Sequence, residues 1–472
     1  MPPSINHTKT FLLLKGAIQD RLDAEMILYN RKVQSFQFPV KQLKYLLIGK
    51  PQYGANEAGI ERTSNQQTRY IRITDIDTQG LLKNELGVTA ENTDEKYLLK
   101  NNDLLFARSG SVGRCYLHKS TNVTYPCIYA GYMIRFVLNE NELTPDYFFI
   151  YTQLNVYKRW VNAIQRTAVQ ANINAEEYKS LFVPIPPLPI QQQIVDIFEA
   201  AYTNQQTKQA QAQQLLNSID TYLLQQLSIN PPPTTTQTQK MFMVQANTIS
   251  NNRFDPYFHQ AMFDALEKEL ALSSYKVTKL KHIATKITSG ATPLSGGDAY
   301  TTKDLGIPFI RSGEINQFND INFYDVLYIK PEVHNGSLKS SKLKKGDLMI
   351  AIVGATIGQV GIYNYDIEAN INQAIALVRF NNEVDTEYIK SFYLASIGQK
   401  ILDRRKRPVA RANINLDEIG SMYVILPPLE KQREIAQHIN QPRQQAQQLN
   451  TQAQQALQQA KQTIEAMITG TN

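Results

Sequence analysis

The stretch Gln170-Ala171-Asn172-Ile173-Asn174 is followed by Val183-Pro184-Ile185-Pro186-Pro187-Leu188 and then by Gln191-Gln192-Gln193-Ile194. The same succession returns as Arg411-Ala412-Asn413-Ile414-Asn415, Ile425-Leu426-Pro427-Pro428-Leu429 and Lys431-Gln432-Arg433-Glu434-Ile435. Asn413 stands 241 positions after Asn172, and Pro427 the same distance after Pro186. Further out, Arg21-Leu22-Asp23-Ala24-Glu25 is matched by Arg253-Phe254-Asp255-Pro256-Tyr257, and Tyr70-Ile71-Arg72 by Phe309-Ile310-Arg311. Asn102-Asp103-Leu104-Leu105 is matched by Gly346-Asp347-Leu348-Met349. So many matches in one order are not chance. A period of about 240 residues is too long for a solenoid, whose units run to roughly 20–50 residues. It reads as two copies of a whole domain, each with its connecting element.

Within each copy the pattern changes character. Residues 38–185 and 275–426 contain short apolar runs, such as Leu343–Val353 and Ala374–Phe380, interrupted by glycine and asparagine. That is the pattern of a β-rich α+β domain. Beyond each proline turn the composition shifts to Gln, Ala and Leu, which favour or tolerate helix. Ala212, Leu216, Ile219, Leu223 and Leu227 form one apolar stripe, and Leu449, Ala453, Leu457, Ala460, Ile464 and Met467 another. An ordinary core helix would carry such a stripe too, but this length suits a spacer whose stripe pairs with the other helix. The steps depart from strict three–four alternation, which argues against a regular coiled coil and leaves helix pairing intact.

The expected organisation is a helical segment at 1–37, a first domain at 38–185 and a spacer helix at 186–229. A Pro/Thr linker at 230–240 and a helical lead-in at 241–274 come next, then a second domain at 275–426 and a second spacer helix at 427–472. The fold class is α+β: two β-rich α+β domains separated by two long antiparallel paired helices, with a pseudo-twofold internal repeat.

Composition narrows the function. The 472 residues carry a formal charge of +7 and are 42% hydrophobic, enough for true cores and favouring a polyanionic partner over an acidic one. Cys115 and Cys127 are the only cysteines and six histidines never fall in a metal-ligand spacing, so a disulfide scaffold or zinc site is not expected. Phe11-Leu12-Leu13-Leu14 is too short for a signal-peptide core, and no apolar run approaches the ~18 residues of a membrane span. The expected location is the cytoplasm, with no membrane partner.

The Asn-Ile-Asn step, short strand, Pro-Pro-Leu and Gln-rich helix opening, doubled along the chain, closely resemble the hallmark of Type I restriction–modification specificity subunits. Arg21-Leu22-Asp23-Ala24-Glu25 is similar to that family's lead into its first recognition domain; the second copy departs from it at Pro256 and Tyr257. The resemblance implies two target-recognition domains, each reading half of an asymmetric bipartite site in double-stranded DNA. It implies spacer helices that set the gap and bind two modification subunits, which methylate adenine N6 with S-adenosylmethionine. Restriction subunits would cut and translocate with ATP and Mg, so this chain is expected to bind no cofactor and to be no enzyme itself. A related Type II system with a fused cutting and methylating partner would use the same architecture. An enzyme with attached recognition domains and a helical adaptor without DNA contact are the other readings.

No His–carboxylate or nucleophile–base spacing in the sequence makes an active site. Asn230-Pro231-Pro232 resembles the start of an amino-methyltransferase motif but has Pro233 where a stacking aromatic belongs, and reads as linker. The glycine-rich Ser109–Arg114 and Gly354–Gln359 lack the lysine of a phosphate-binding loop. They read either as turns needing positive φ or as close backbone approaches to DNA, with Ser111, Arg114, Thr356 and Gln359 in reach of it. Asp403-Arg404-Arg405-Lys406-Arg407 with Arg411 is the densest basic cluster, echoed by Lys158-Arg159 with Arg166. It reads as phosphate contact or as a solvated helix face. Lys339, Lys342, Lys344 and Lys345 read as solvent-facing rather than DNA-facing, and Trp160 as core rather than a base-stacking platform. Arg69, Arg72, Arg108 and Arg311 complete the candidate DNA-contacting residues. Leu216, Ile219, Leu223, Leu227, Leu449, Leu457 and Ile464 are the candidates for helix pairing and subunit docking.

Overall fold

The computed structural model describes residues 24–165, 171–230, 241–245, 249, 253–294, 297–316, 321–407 and 412–470. The chain forms two compact units. One comprises the residues up to Thr207 together with those from Gln452 onward, the other Lys208–Thr451. Each long helix is therefore shared. Its first half stays with the domain that precedes it, and its second half belongs to the unit of the other repeat.

In the first unit, α1 (Ala24–Gln34) precedes β1 (Val40–Gln42), β2 (Gln52–Tyr53), β3 (Gly59–Glu61), β4 (Arg69–Ile71) and β5 (Val88–Ala90). Then come β6 (Leu104–Ala107), β7 (Cys115–Leu117), β8 (Cys127–Tyr129) and β9 (Met133–Phe136). The helices α2 (Pro145–Tyr151), α3 (Asn155–Ile164) and α4 (Ala175–Lys179) lead to β10 (Phe182–Pro184) and to the long α5 (Leu188–Gln226). One antiparallel sheet has the order β2-β9-β6-β7 and a second the order β3-β5-β4-β8, with β4 and β8 parallel; β1 and β10 pair to close the domain. Trp160 of α3 packs against Tyr178, which touches Phe106 and Phe136, so the only tryptophan is core, as its sequence setting suggested.

The second unit repeats this strand for strand. After α6 (Ala261–Ala271) come β11 (Lys276–Lys279), α7 (Leu280–Ile283), β12 (Ala284–Ser289), β13 (Tyr300–Thr301), β14 (Ile307–Ile310) and β15 (Leu327–Ile329). They are followed by α8 (Pro331–Asn335), β16 (Asp347–Ala351), β17 (Val360–Tyr363), β18 (Asn370–Ile371) and β19 (Ile375–Phe380). Then α9 (Thr386–Leu394), α10 (Ser396–Arg405) and α11 (Leu416–Gly420) lead to β20 (Tyr423–Leu426) and α12 (Leu429–Thr469). The sheets run β12-β19-β16-β17 and β13-β15-β14-β18, with β11 paired to β20.

The matched sequence motifs are the devices that hold this fold. Asn174 and Asn415 are N-caps: each side chain accepts from the N–H of Glu177 or Glu418, whose carboxylate accepts from the N–H of the asparagine. The isoleucines before them, Ile173 and Ile414, are buried. Asn102 and Gly346 share a left-handed conformation, at φ 71° and 88°, which asparagine tolerates and glycine adopts freely. Asp103 and Asp347, next in sequence, are buried and pair with Arg135 and Arg379. Gln191 and Gln432, also matched, fasten the two long helices to their domains. Gln191 accepts from the N–H of Thr144 and donates to the carbonyls of Glu142 and Pro186, while Gln432 accepts from the N–H of Asp385 and donates to Pro427.

Candidate nucleic-acid interface

The arginines divide by whether the fold has already used their nitrogens. Arg69 is 1% exposed and donates to the Tyr125 hydroxyl and the Lys83 carbonyl, which corrects its place among the DNA-contacting candidates. Arg72 and Arg311 are half-exposed but tied to Asp75 and Glu314 three residues on. Arg311 also donates to the Asp325 carbonyl. Arg114 spends one nitrogen on the Ile76 carbonyl.

The basic cluster of the second unit turns inward, a second correction. Arg404 is 8% exposed, donates to the carbonyls of Phe258 and Phe263, and pairs with Asp264 and Glu267. Arg405 lies over the Phe258 ring, and burial lowers its affinity for its proton. Both positions share the inward side of α10 with Ile401 and Leu402, which a run of charges in a sequence does not reveal. Arg407 is exposed and paired with Glu418, which also receives Arg253 from the Arg-Phe-Asp motif. Arg166 and Arg411 lie outside the described residues.

The glycine-rich loops are turns first. Gly113 at φ 83° has Val161 side-chain atoms 2.6 Å from where a Cβ would stand, and Gly358 at φ 99° has the Gln399 amide at the same distance. Thr356 is turned back onto the Val353 carbonyl. Gln359, with its amide oriented to satisfy its neighbours, donates to the carbonyls of Ile315 and Ser312, so neither side chain is offered outward. In the first unit the turn through Ser111 and Arg114 borders a cleft of about 530 Å³ whose other wall carries Lys158 and Asn162 of α3. Next to Lys158, Arg159 is exposed and makes no hydrogen bond or ion pair with the described residues.

Arg108, just after β6, also has nitrogens to spare. Its guanidinium lies 5.4 Å from the centroid of the Tyr53 ring, and its Nε donates to Asn172 Oδ1 at 3.4 Å. Tyr53 is 40% exposed, and Tyr132, whose carbonyl accepts from the Arg108 N–H, is 37% exposed. Composition gives no signal for this group, because Tyr53 and Tyr132 belong to no motif.

A family model described as the Type I restriction modification DNA specificity domain matches residues 54–217 and 272–459. The chain belongs to this family. Among proteins like it, the Type I restriction enzyme EcoBI specificity subunit of Escherichia coli is 24% identical over 300 residues, 62% of this chain and 58% of that protein. The EcoKI specificity subunit of Escherichia coli strain K12 is 21% identical over 297 residues, 62% of this chain and 57% of that one. The chain thus spans less than two thirds of the length of these relatives. A solved Type-I restriction-modification system S subunit from M. genitalium covers 92% of this chain and 96% of its own, at 13% identity and a TM-score of 0.43.

In this specificity-domain chain the second family match encloses all the strands of the second unit, the first match begins just after β2, and the long helices dock as follows. In the first unit, Phe198 of α5 lies under Lys461 of α12, and Ile464 and Ile468 join the domain core. In the second, Tyr222 stacks on His438 with ring centroids 3.9 Å apart, and Ile219, Leu223 and Leu227 enter the core with Ile435 and Ile439. Leu457 is buried and Leu216 and Leu449 are half-buried, and on α12 the fully buried positions near Leu449 are Ala446 and Ala453, seven residues apart. Glu465 of α12 accepts from the first N–H of α3 (Asn155, 3.1 Å), and Asp220 of α5 from the first N–H of α10 (Ser396, 2.7 Å). These acids suit the positive end of each helix. Among the described residues, no helix is long and apolar enough to cross a membrane.

Proposed function

We propose that this chain supplies the sequence specificity of a Type I restriction–modification complex and performs no chemistry of its own. The observation that carries the reading is the doubled family match over two domains of the same strand order. Each domain would read one half of a bipartite, asymmetric target in double-stranded DNA, and the net charge of +7 suits that polyanion. Two modification subunits would dock on the chain, bring S-adenosylmethionine and methylate adenine N6 after flipping the base. Restriction subunits would add ATP- and Mg-dependent translocation and cleavage in the cytoplasm. This chain's part is to bind, orient and space.

The test is co-expression with the modification subunit followed by genome-wide mapping of methylated adenines. A split asymmetric motif is expected, and exchanging residues 38–185 for the first recognition domain of another family member should change one half of it. Simultaneous change of both halves, or methylation without any motif, would overturn the reading.

A further inference from the structure

The two recognition domains share their scaffold but not the surface around Arg108. The β-bridge Ser109–Asn172 of the first unit corresponds to Val353–Asn413 of the second, which puts buried Ile352 where Arg108 stands. The N–H of Arg108 donates to the Tyr132 carbonyl and that of Ile352 to the Ala374 carbonyl, so buried Ala374 replaces Tyr132. Tyr53 faces Ile134 on β9 and Ser289 faces Ala376 on β19, which makes Ser289 the counterpart of Tyr53. The glycines that follow, Gly54 and Gly290, agree with the match, since each packs its backbone against the carbonyl of the last residue of β8 or β18, Tyr129 or Ile371. A cation over a half-exposed aromatic in one domain is thus an isoleucine and a serine in the other, and alanine stands there in place of Tyr132.

Arg108 also differs in kind from Arg159. Arg159 stands alone on a helix surface, the setting of a phosphate contact, which needs charge but little geometry. Arg108 has two neighbours: its guanidinium lies over the Tyr53 ring, and Asn172 takes its Nε–H. That leaves Nη1 and Nη2 without partners among the described residues. Two parallel N–H donors on a fixed guanidinium match the O6 and N7 acceptors that guanine presents in the major groove. Holding the fork in place before binding reduces the ordering cost of that contact.

We propose that Arg108, oriented by Tyr53 and Asn172, reads a guanine in the half-site of the first recognition domain, and that the second domain makes no such contact. The inference rests on the specificity-subunit reading. Its test compares wild type, Arg108→Ala and Arg108→Lys, each co-expressed with the modification subunit, by methylome mapping and by DNA binding of the purified complex at several salt concentrations. Trp160 emission reports that the first unit is folded. In both variants one guanine of one half-site should become degenerate, with discrimination falling about 5- to 140-fold and the other half-site unchanged. The lysine variant should keep the wild-type salt dependence, because it keeps the charge. An unchanged motif in both variants, or equal weakening on specific and non-specific DNA, would overturn the proposal while leaving the specificity-subunit reading standing. A wild-type complex without any motif would overturn both.

Discussion

Nη2 of Arg404 lies 2.9 Å from Oδ1 of Asp264, and the same guanidinium packs over the rings of Phe258 and Phe263. Asp264 is largely exposed, so the ion pair itself is worth little. The apolar contact and the bonds to two backbone carbonyls carry the interaction. Arg404→Ala should therefore cost about 1–3 kcal/mol of second-unit stability in urea, with the salt dependence of DNA binding unchanged. Arg159→Ala should do the reverse, flattening the log K against log salt slope by ~0.9 with stability intact. A flatter slope for Arg404→Ala would return that residue to the DNA-facing side.

Gln191 is completely buried and accepts from both the N–H and the hydroxyl of Thr144. Gln191→Leu keeps the bulk but leaves the Thr144 N–H and the Glu142 and Pro186 carbonyls without their partner. The expected loss is about 2–4 kcal/mol, read from the urea midpoint of Trp160 fluorescence. A midpoint equal to wild type would mean that the glutamine is not the fastening.

Glu465 at the start of α3 combines a hydrogen bond with a favourable charge at the positive helix end. Glu465→Gln retains an acceptor and removes the charge, and Glu465→Ala removes both. Trp160 sits on α3, so its transition should move down in the order wild type, Gln, Ala, with about 0.5–1 kcal/mol between the extremes. The same order is expected for Asp220, Asp220→Asn and Asp220→Ala in a probe of the second unit.

His118 is 3% exposed, with the Tyr116 hydroxyl 3.1 Å from its Nδ1, and burial lowers its pKa from the ordinary 6.5. The unfolded chain then binds the proton more readily than the folded one, so stability rises with pH through this region. The first unit should lose stability as pH falls below 6.5, and His118→Gln should flatten that loss. Nearby Asp103 acts in the opposite sense, because burial raises its pKa above 3.8 and its contribution is lost as pH rises through that lower range. Parallel pH profiles for wild type and His118→Gln between pH 5.5 and 7.5 would remove histidine from the account.

The repeat was legible because its matched residues are caps, left-handed turns and buried fastenings, which constrain side-chain identity in both copies. Asn174 and Asn415, Asp103 and Asp347, and Gln191 and Gln432 each repeat a local bond that any such domain needs. The long helices were legible from composition and stripe, though their ends fell at Gln226 and Thr469 and the stripe passed Leu449 by. The interface was less so. Matching basic clusters in the two copies pointed to Arg404 and Arg405, yet helix periodicity carries both inward beside Ile401. Arg108 meets Tyr53 across 55 positions of chain through a sheet, a contact that no spacing encodes. Reading two different half-sites requires the copies to differ, so a search for repeats passes over the residues that discriminate.

The placement of residues 452–470 within the first unit sets the order in which that unit can be finished. A ribosome delivers residues 24–207 early, but Ile464, Ile468 and the acid that caps α3 emerge only after the whole of the second unit. The first domain thus waits through the synthesis of more than two hundred residues with part of its core uncovered. A premature stop after Thr451 would leave the second unit whole and the first one open, so the earlier-made half is the one that a late nonsense codon damages.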